Sequence, residues 1–337
     1  LLGQMKDQPE AVGRSAALYE DGLSAEPVDG RQTANLAAVL WQTGDRQKAI
    51  DSLVRTVALE PDPLWLVNLG YFYQQVGDWE RAIEAYGQAL ALSPTLASSG
   101  FWQRDAILVH WPDILAQVEA SLAEKESDLA IWRLRVARSR RDWPAFGSQL
   151  QPILEGGSRA CSTLSLLARS QFEMGNIDEA GRLAQKAIDT LWTCSNAQLV
   201  RGLVNQAQGN LAAAEVDLRT AFYFHHPDAA YYLGQLYQSQ GDTGTATHYY
   251  KNAISHSVVP VDVEITLYDR NTTFDMLPPL FRMGVGKQKA EPWLALGRIY
   301  EVEEDFEAAR LVYETVLLQD PWLAEAQERL DALPSGR

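Results

Sequence analysis

The chain has 337 residues, of which 46% are hydrophobic and ten are tryptophan, and its 44 acidic side chains outnumber 29 basic ones for a formal net charge of −15. That apolar content excludes a disordered chain, and the acidic balance excludes a nucleic-acid binder, which needs a basic surface to displace counterions from phosphate. No run approaches the roughly 20 apolar residues needed to span a bilayer, so no membrane span is expected, and the opening residues, which begin Leu1-Leu2-Gly3, do not read as a secretory leader.

So long a chain predicts either two or three domains or one elongated repeat array. Five Gly-centred turns favour the array: Thr43-Gly44-Asp45, Val76-Gly77-Asp78, Met174-Gly175-Asn176, Gln208-Gly209-Asn210 and Gln240-Gly241-Asp242. Gly44 and Gly77 are 33 residues apart, Gly175 and Gly209 are 34 apart, and Gly209 and Gly241 are 32 apart. Each glycine is expected to close one helix with a positive φ, and the Asp or Asn after it to cap the next.

Around these turns small and aromatic residues recur in one order: Leu69-Gly70, Tyr73, Ala82, Tyr86 and Ala89, then Leu233-Gly234, Tyr237, Ala246, Tyr250 and Ala253, then Leu296-Gly297, Tyr300, Ala309 and Tyr313. Small residues let two helices approach, the aromatic fills the gap to the next pair, and stacking supplies the core that one pair lacks. The pattern resembles the tetratricopeptide repeat (TPR). The resemblance implies an all-α, right-handed solenoid of about eight helix pairs whose concave wall is lined by the first helix of each pair.

In chain order, residues 1–29 read as a partial repeat, with Leu2-Gly3, Ser15, Tyr19, Gly22 and Pro27 in register and most of a first helix missing. Either the sequence is a fragment cut there or another chain completes the half-repeat. Repeats are expected at 30–62, 63–96, 97–126, 127–160, 161–194, 195–226 and 227–256. The two at 97–160 are divergent and are placed mainly by the 98 residues between Gly77 and Gly175. The stretch 257–289 breaks the helical period: Val261, Val263, Ile265 and Leu267 alternate with polar residues as in a half-buried strand, and 272–277 can return as the second arm of a β-hairpin-like insert. Such a ribbon either packs on its own solenoid or pairs with a strand of another molecule. A last repeat at 290–323 and a C-terminal cap at 324–337 follow.

Three further features bear on function. Cys161 and Cys194 fall at nearly equivalent places in adjacent repeats, and they are either two buried thiols or a disulfide, the latter implying an oxidising compartment. Asn271-Thr272-Thr273 is a glycosylation sequon on an expected turn. Arg133, Arg135, Arg138, Arg140 and Arg141 form the one dense basic stretch, read as a solvated face or short ion pairs in preference to an anion site.

No catalytic or metal-ligand constellation is found. His110, His225, His226, His248 and His256 lack metal spacing, no nucleophile elbow occurs, and Gly284-Val285-Gly286-Lys287 lacks the first glycine and the hydroxyl of a phosphate loop. No cofactor is expected. The resemblance implies that groove residues, among them Arg31, Trp41, Leu64, Tyr71, Phe72, Tyr231 and Gln235, contact an extended peptide or partner helix. Members that clamp a peptide's terminal carboxylate place Lys and Asn where Ala34, Ala38, Val67 and Tyr71 stand here. The expected function is a non-enzymatic interaction and assembly scaffold, extracellular or periplasmic, with copies of itself or an extended strand as partner, a covalent glycan as a further attachment, and head-to-tail filament growth as one mode. The alternatives are a cytoplasmic adaptor and the soluble portion of a membrane glycan polymerase or ligase, since the acidic repeats are also similar to the C-terminal TPR regions of O-antigen-ligase-like proteins.

Overall fold

The computed structural model describes residues 30–59, 61–123, 126–155, 160–257 and 287–334, and all regular structure among them is helical. The half-repeat at 1–29, the strand residues Val261, Val263, Ile265 and Leu267, and the sequon at Asn271 lie outside the described residues. The described chain forms two compact units, 30–129 and 130–257 with 287–334.

In the first unit, α1 (Gly30–Thr43) pairs with α2 (Arg46–Leu59), and α3 (Pro63–Gln75) with α4 (Trp79–Leu92). The start of α3 shows how the sequence sets a boundary. Asp62 accepts hydrogen bonds from the backbone N–H of Leu64 at 2.7 Å and Trp65 at 3.4 Å, while Pro63 occupies a position whose N–H would be unsatisfied anyway. The pair expected over 97–126 is not regular. Its first helix is replaced by two 3₁₀ segments, Pro94–Ser98 and Gly100–Gln103, and the one-turn α5 (Asp105–Leu108), before α6 (Trp111–Leu122) restores the period. Pro94 and Gly100 disfavour a continuous helix, and the bend drives Phe101 and Trp102 fully into the core against Tyr86.

The second unit opens with α7 (Glu126–Ser139), whose first four residues precede the boundary, joined by a short turn to α8 (Trp143–Glu155), and stacks α9 (Cys161–Glu173) on α10 (Ile177–Thr190), α11 (Ser195–Ala207) on α12 (Leu211–Tyr223), α13 (Ala229–Ser239) on α14 (Thr243–Ser257) and α15 (Lys287–Val302) on α16 (Phe306–Gln319), ending in α17 (Ala324–Ala332). All five turn glycines have the expected positive φ, between 80° and 91°. Two of the aspartates after them act as caps, Asp78 toward Arg81 N–H at 3.2 Å and Asp242 toward Thr245 N–H at 2.9 Å. Asn176 and Asn210 make no side-chain cap, contrary to expectation; Asn176 instead donates to Gln171 Oε1 at 2.8 Å.

The pairs close on a repeated contact. A methyl group on Gly234 would stand 2.5 Å from the Tyr250 ring, and one on Gly70 would stand 2.6 Å from Tyr86. Both tyrosines are buried, and each hydroxyl donates at 2.7 Å to a glutamine 12 residues earlier, Gln74 or Gln238. Tyr313 repeats the arrangement against Gly297 with Glu301 as acceptor. The glycine therefore decides how closely the two helices of a pair approach.

Candidate functional site

The turn between α7 and α8 reproduces the glycine turns without a glycine. Arg141 has φ 57°, its N–H donates to Arg138 O at 3.1 Å, and Asp142 N–H donates to Ala137 O at 2.8 Å. Gly77 and Asp78 make the same pair of bonds, at 3.0 and 2.9 Å. Asp142 then caps α8 through Ala145 N–H at 3.1 Å. An L side chain in this conformation costs about 1–2 kcal/mol. Glu304 adopts the same conformation in the α15–α16 turn, where its side chain is exposed. Arg141 differs because its guanidinium is used: Nη1 donates to Glu291 of α15 at 3.0 Å, 150 residues away.

That contact lies beside a cleft of about 40 Å³ walled by Arg138, Arg141, Trp143, Arg169, Asn196 and Asp228, together with apolar side chains of α8, α9 and α11. Most of its walls come from the first helices α7, α9 and α11 and the segment leading into α13 (Ala229–Ser239). Arg169 Nη2 contacts Tyr232 Oη on α13, 63 residues on, and Glu173 Oε1, both at 2.5 Å. Contacts that skip a repeat form on the side toward which a stack curves, so the layer of first helices is the inner one of the second unit.

Charge in the cleft is unevenly met. Burial opposes protonation of Arg169, but Tyr232 and Glu173 outweigh it and hold the guanidinium pKa above its usual value. Its Nε is nevertheless buried without a hydrogen-bond partner, a deficit that costs about 1–3 kcal/mol. Arg138 is exposed and makes no ion pair among the described residues. His226, only 8% exposed, accepts a hydrogen bond at Nδ1 from Asp228 N–H at 3.1 Å. The ring proton is therefore on Nε2, which donates to Asn196 Oδ1 at 2.8 Å. Burial pushes the His226 pKa down, Asp228 pulls against it, and Arg169 and Arg138 add to the depression, so the ring is neutral near pH 7.

A disulfide ties together α9 and α11, two of the helices that line the cleft. Cys161, the first residue of α9, is bonded to Cys194, immediately before α11, with Cα atoms 6.2 Å apart. Asn196, the partner of His226, follows two residues later.

The sequence-predicted groove residues do not converge on this cleft. Trp41 is half-buried and stacks on Phe72 with centroids 4.0 Å apart. Phe72, expected on the groove wall, is fully buried: one step along α3 from Tyr71 turns the side chain by about 100° into the core. Leu64 and Tyr71 are half-buried, and the Arg31 side chain is outside the described set. Tyr231 and Gln235 lie on α13, hydrogen-bonded to each other at 2.7 Å. Sequence reasoning missed Arg138, Arg141, Arg169 and Asn196 as a group. One signal was present: Arg141-Asp142-Trp143 repeats Gly77-Asp78-Trp79 at a distance of 64 residues, with arginine in the glycine's place.

Helix pairs joined by left-handed turns and stacked so that first helices touch first helices define an α-helical repeat protein. The repeat is the tetratricopeptide repeat: residues 63–96 match the family model of that name, and the glycine–tyrosine contact of the matched pair recurs in α13–α14 and α15–α16. No curated protein matches the chain. Among solved structures it is similar to pilF of Pseudomonas aeruginosa, at 18% identity and TM-score 0.38 over 86% of this chain and 99% of that one. It is also similar to a tetratricopeptide repeat protein from Parabacteroides merdae, at 16% and 0.35 over 76% and 91%, and to MamA, at 18% and 0.34 over 59% and 95%. At these scores none bears on overall arrangement or function. Among the described residues no helix is long and apolar enough to cross a membrane.

Proposed function

We propose that the chain is a non-enzymatic protein-interaction scaffold and that the inner layer of its second unit receives a partner segment. The observation that carries this reading is the cleft, a recess walled largely by first helices and lined by groups that recognise a ligand without transforming it. Arginine, asparagine and a neutral, doubly bonded histidine supply hydrogen bonds, whereas a nucleophile with an activating base is not assembled there. The disulfide supports a location outside the reducing cytoplasm, extracellular or periplasmic.

A photo-reactive amino acid placed at Gln235, on the inner layer, and separately at the outer, exposed Val216 of α12 tests the assignment in the native cell. Adducts with a defined partner at 235 and none at 216 are expected; equal labelling at both positions, or none at 235, refutes it. Head-to-tail filament growth is the self-partnered form of the same function. Its mark is adducts of the chain with itself, together with concentration-dependent polymers in sedimentation, and a strict monomer refutes it.

A further inference from the structure

We propose that the cleft at the α7–α8 turn binds a glutamate or aspartate side chain of an extended partner segment, with Arg138, Arg141 and Arg169 as its ligands. This rests on the reading of the inner layer as protein-binding and specifies what it binds.

Charge is the first argument. In a chain of net charge −15, the lining gathers three arginines against a single acid, Asp228. The acids that hold Arg141 and Arg169 in place, Glu291 and Glu173, are outside the lining, so the guanidinium groups are positioned without being saturated. Arg169 Nε is a buried donor without an acceptor, and Arg138 forms no ion pair among the described residues. Guanidinium carries five N–H donors in a planar fork that matches the two oxygens of a carboxylate.

Arg141 supplies an independent argument. Its backbone adopts the conformation that glycine adopts in five other turns of this protein. Glycine at 141 would relax the turn but would remove a guanidinium from the cleft. Size then selects the ligand. The recessed part, about 40 Å³, has room for a carboxylate group or a few waters, so the group it takes is the tip of a side chain whose backbone stays outside. The indole of Trp143 and the side chain of Leu199 give the remaining wall an apolar surface suited to the methylenes of glutamate.

The test uses the full chain with its disulfide intact, screened against a random dodecapeptide library displayed internally, so that no peptide has a free C-terminus, and against the same library displayed with free C-termini. Selected peptides and their Glu→Gln or Asp→Asn versions are then measured by fluorescence anisotropy. We expect a fixed acidic position among internal binders, at least 10-fold weaker binding of the amide versions, and a 5- to 10-fold loss in R138Q. R141G is expected to lose at least 10-fold in binding while its melting temperature stays level or rises, and E291Q, which weakens the same tie to α15 but leaves the guanidinium in the cleft, is expected to bind within about 3-fold of the native chain, which separates recognition from the curvature that the tie holds. Equal binding of acid and amide peptides, or unchanged binding in both R138Q and R141G, overturns the carboxylate assignment; if cross-links at 235 persist, the scaffold reading survives it. Acidic preference confined to free C-termini overturns the side-chain source. Absence of any binder together with absence of cross-links at 235 overturns both readings.

Discussion

Reducing the Cys161–Cys194 bond is expected to lower the stability of the second unit by a calculable amount. The bond closes a loop with a sequence separation of 33, for which the chain-entropy relation gives about 4 kcal/mol at 25 °C. The two thiols stay in place on reduction, and Cys194, 3% exposed, keeps its packing against the α9–α11 core, so the change acts chiefly on the unfolded chain. In a unit of this size 1 kcal/mol corresponds to about 2–4 °C, which puts the expected fall in melting temperature at about 8–16 °C. Repeat arrays unfold in steps, so the measurement needs a local reporter. Trp192 suits the purpose, because it lies two residues before Cys194, is 66% exposed and packs edge-on against Phe224. Its signal is resolved from those of the other nine tryptophans by fluorotryptophan labelling and ¹⁹F NMR, with W192F assigning the resonance, and is followed through thermal melts with and without reductant, with thiol titration confirming two free sulfhydryls. A fall of less than 2 °C in fully reduced protein would show that the loop is already constrained when unfolded, and the entropic argument would fail.

Two further outcomes follow from the packing and the charges. Gly234→Ala sets a methyl group 2.5 Å from the Tyr250 ring and should destabilise the second unit by about 3 kcal/mol, the upper end of the range for overpacking, in urea titrations, whereas Gly241→Ala, in an open turn, should cost only about 1–2 kcal/mol for its positive φ. His226 has a folded pKa below its ordinary value of 6.5, so the unfolded chain takes up its proton first. The contribution is fully present above about pH 6.5 and falls as pH drops from there toward the folded pKa, by up to about 1.4 kcal/mol per pH unit. Urea titrations at pH 7.5 and 5.5 should therefore show a larger acid loss in the native protein than in H226N, and equal losses would refute the assignment.

The repeat was legible because its signals are local. A glycine that must take positive φ, an aspartate that must cap and a tyrosine that needs a glycine opposite all fall within one period and place α3–α4 and α13–α14, while α15–α16, whose turn has Glu304 in place of the glycine, was placed by the Gly297–Tyr313 pattern. The pair at 97–126 misled because the distance from Gly77 to Gly175 counts residues and cannot distinguish a helix from 3₁₀ turns of similar length. The disulfide stayed open for a geometric reason: equivalent positions of neighbouring repeats are about 10 Å apart, and only the placement of Cys194 just ahead of α11 brings the Cα atoms to 6.2 Å. The cleft was beyond local reading. Arg169 meets Tyr232 and Arg141 meets Glu291 through the curvature of the stack, and the basic run at 133–141 gave no hint of which arginines would face inward.

Arg141 and Glu291 join the first and last two-helix repeats of the second unit. A stack in which each repeat touches only its neighbours behaves like a spring, whose coils open or tighten by small rotations that add along its length. A tie between the end coils converts the spring into a clasp: its curvature can no longer drift one repeat at a time, and opening it means parting one guanidinium from one carboxylate. That pair is partly exposed, with side chains 36% and 16% accessible, so salt weakens the catch. The stiffness of this half of the protein is thereby tied to the ionic strength around it.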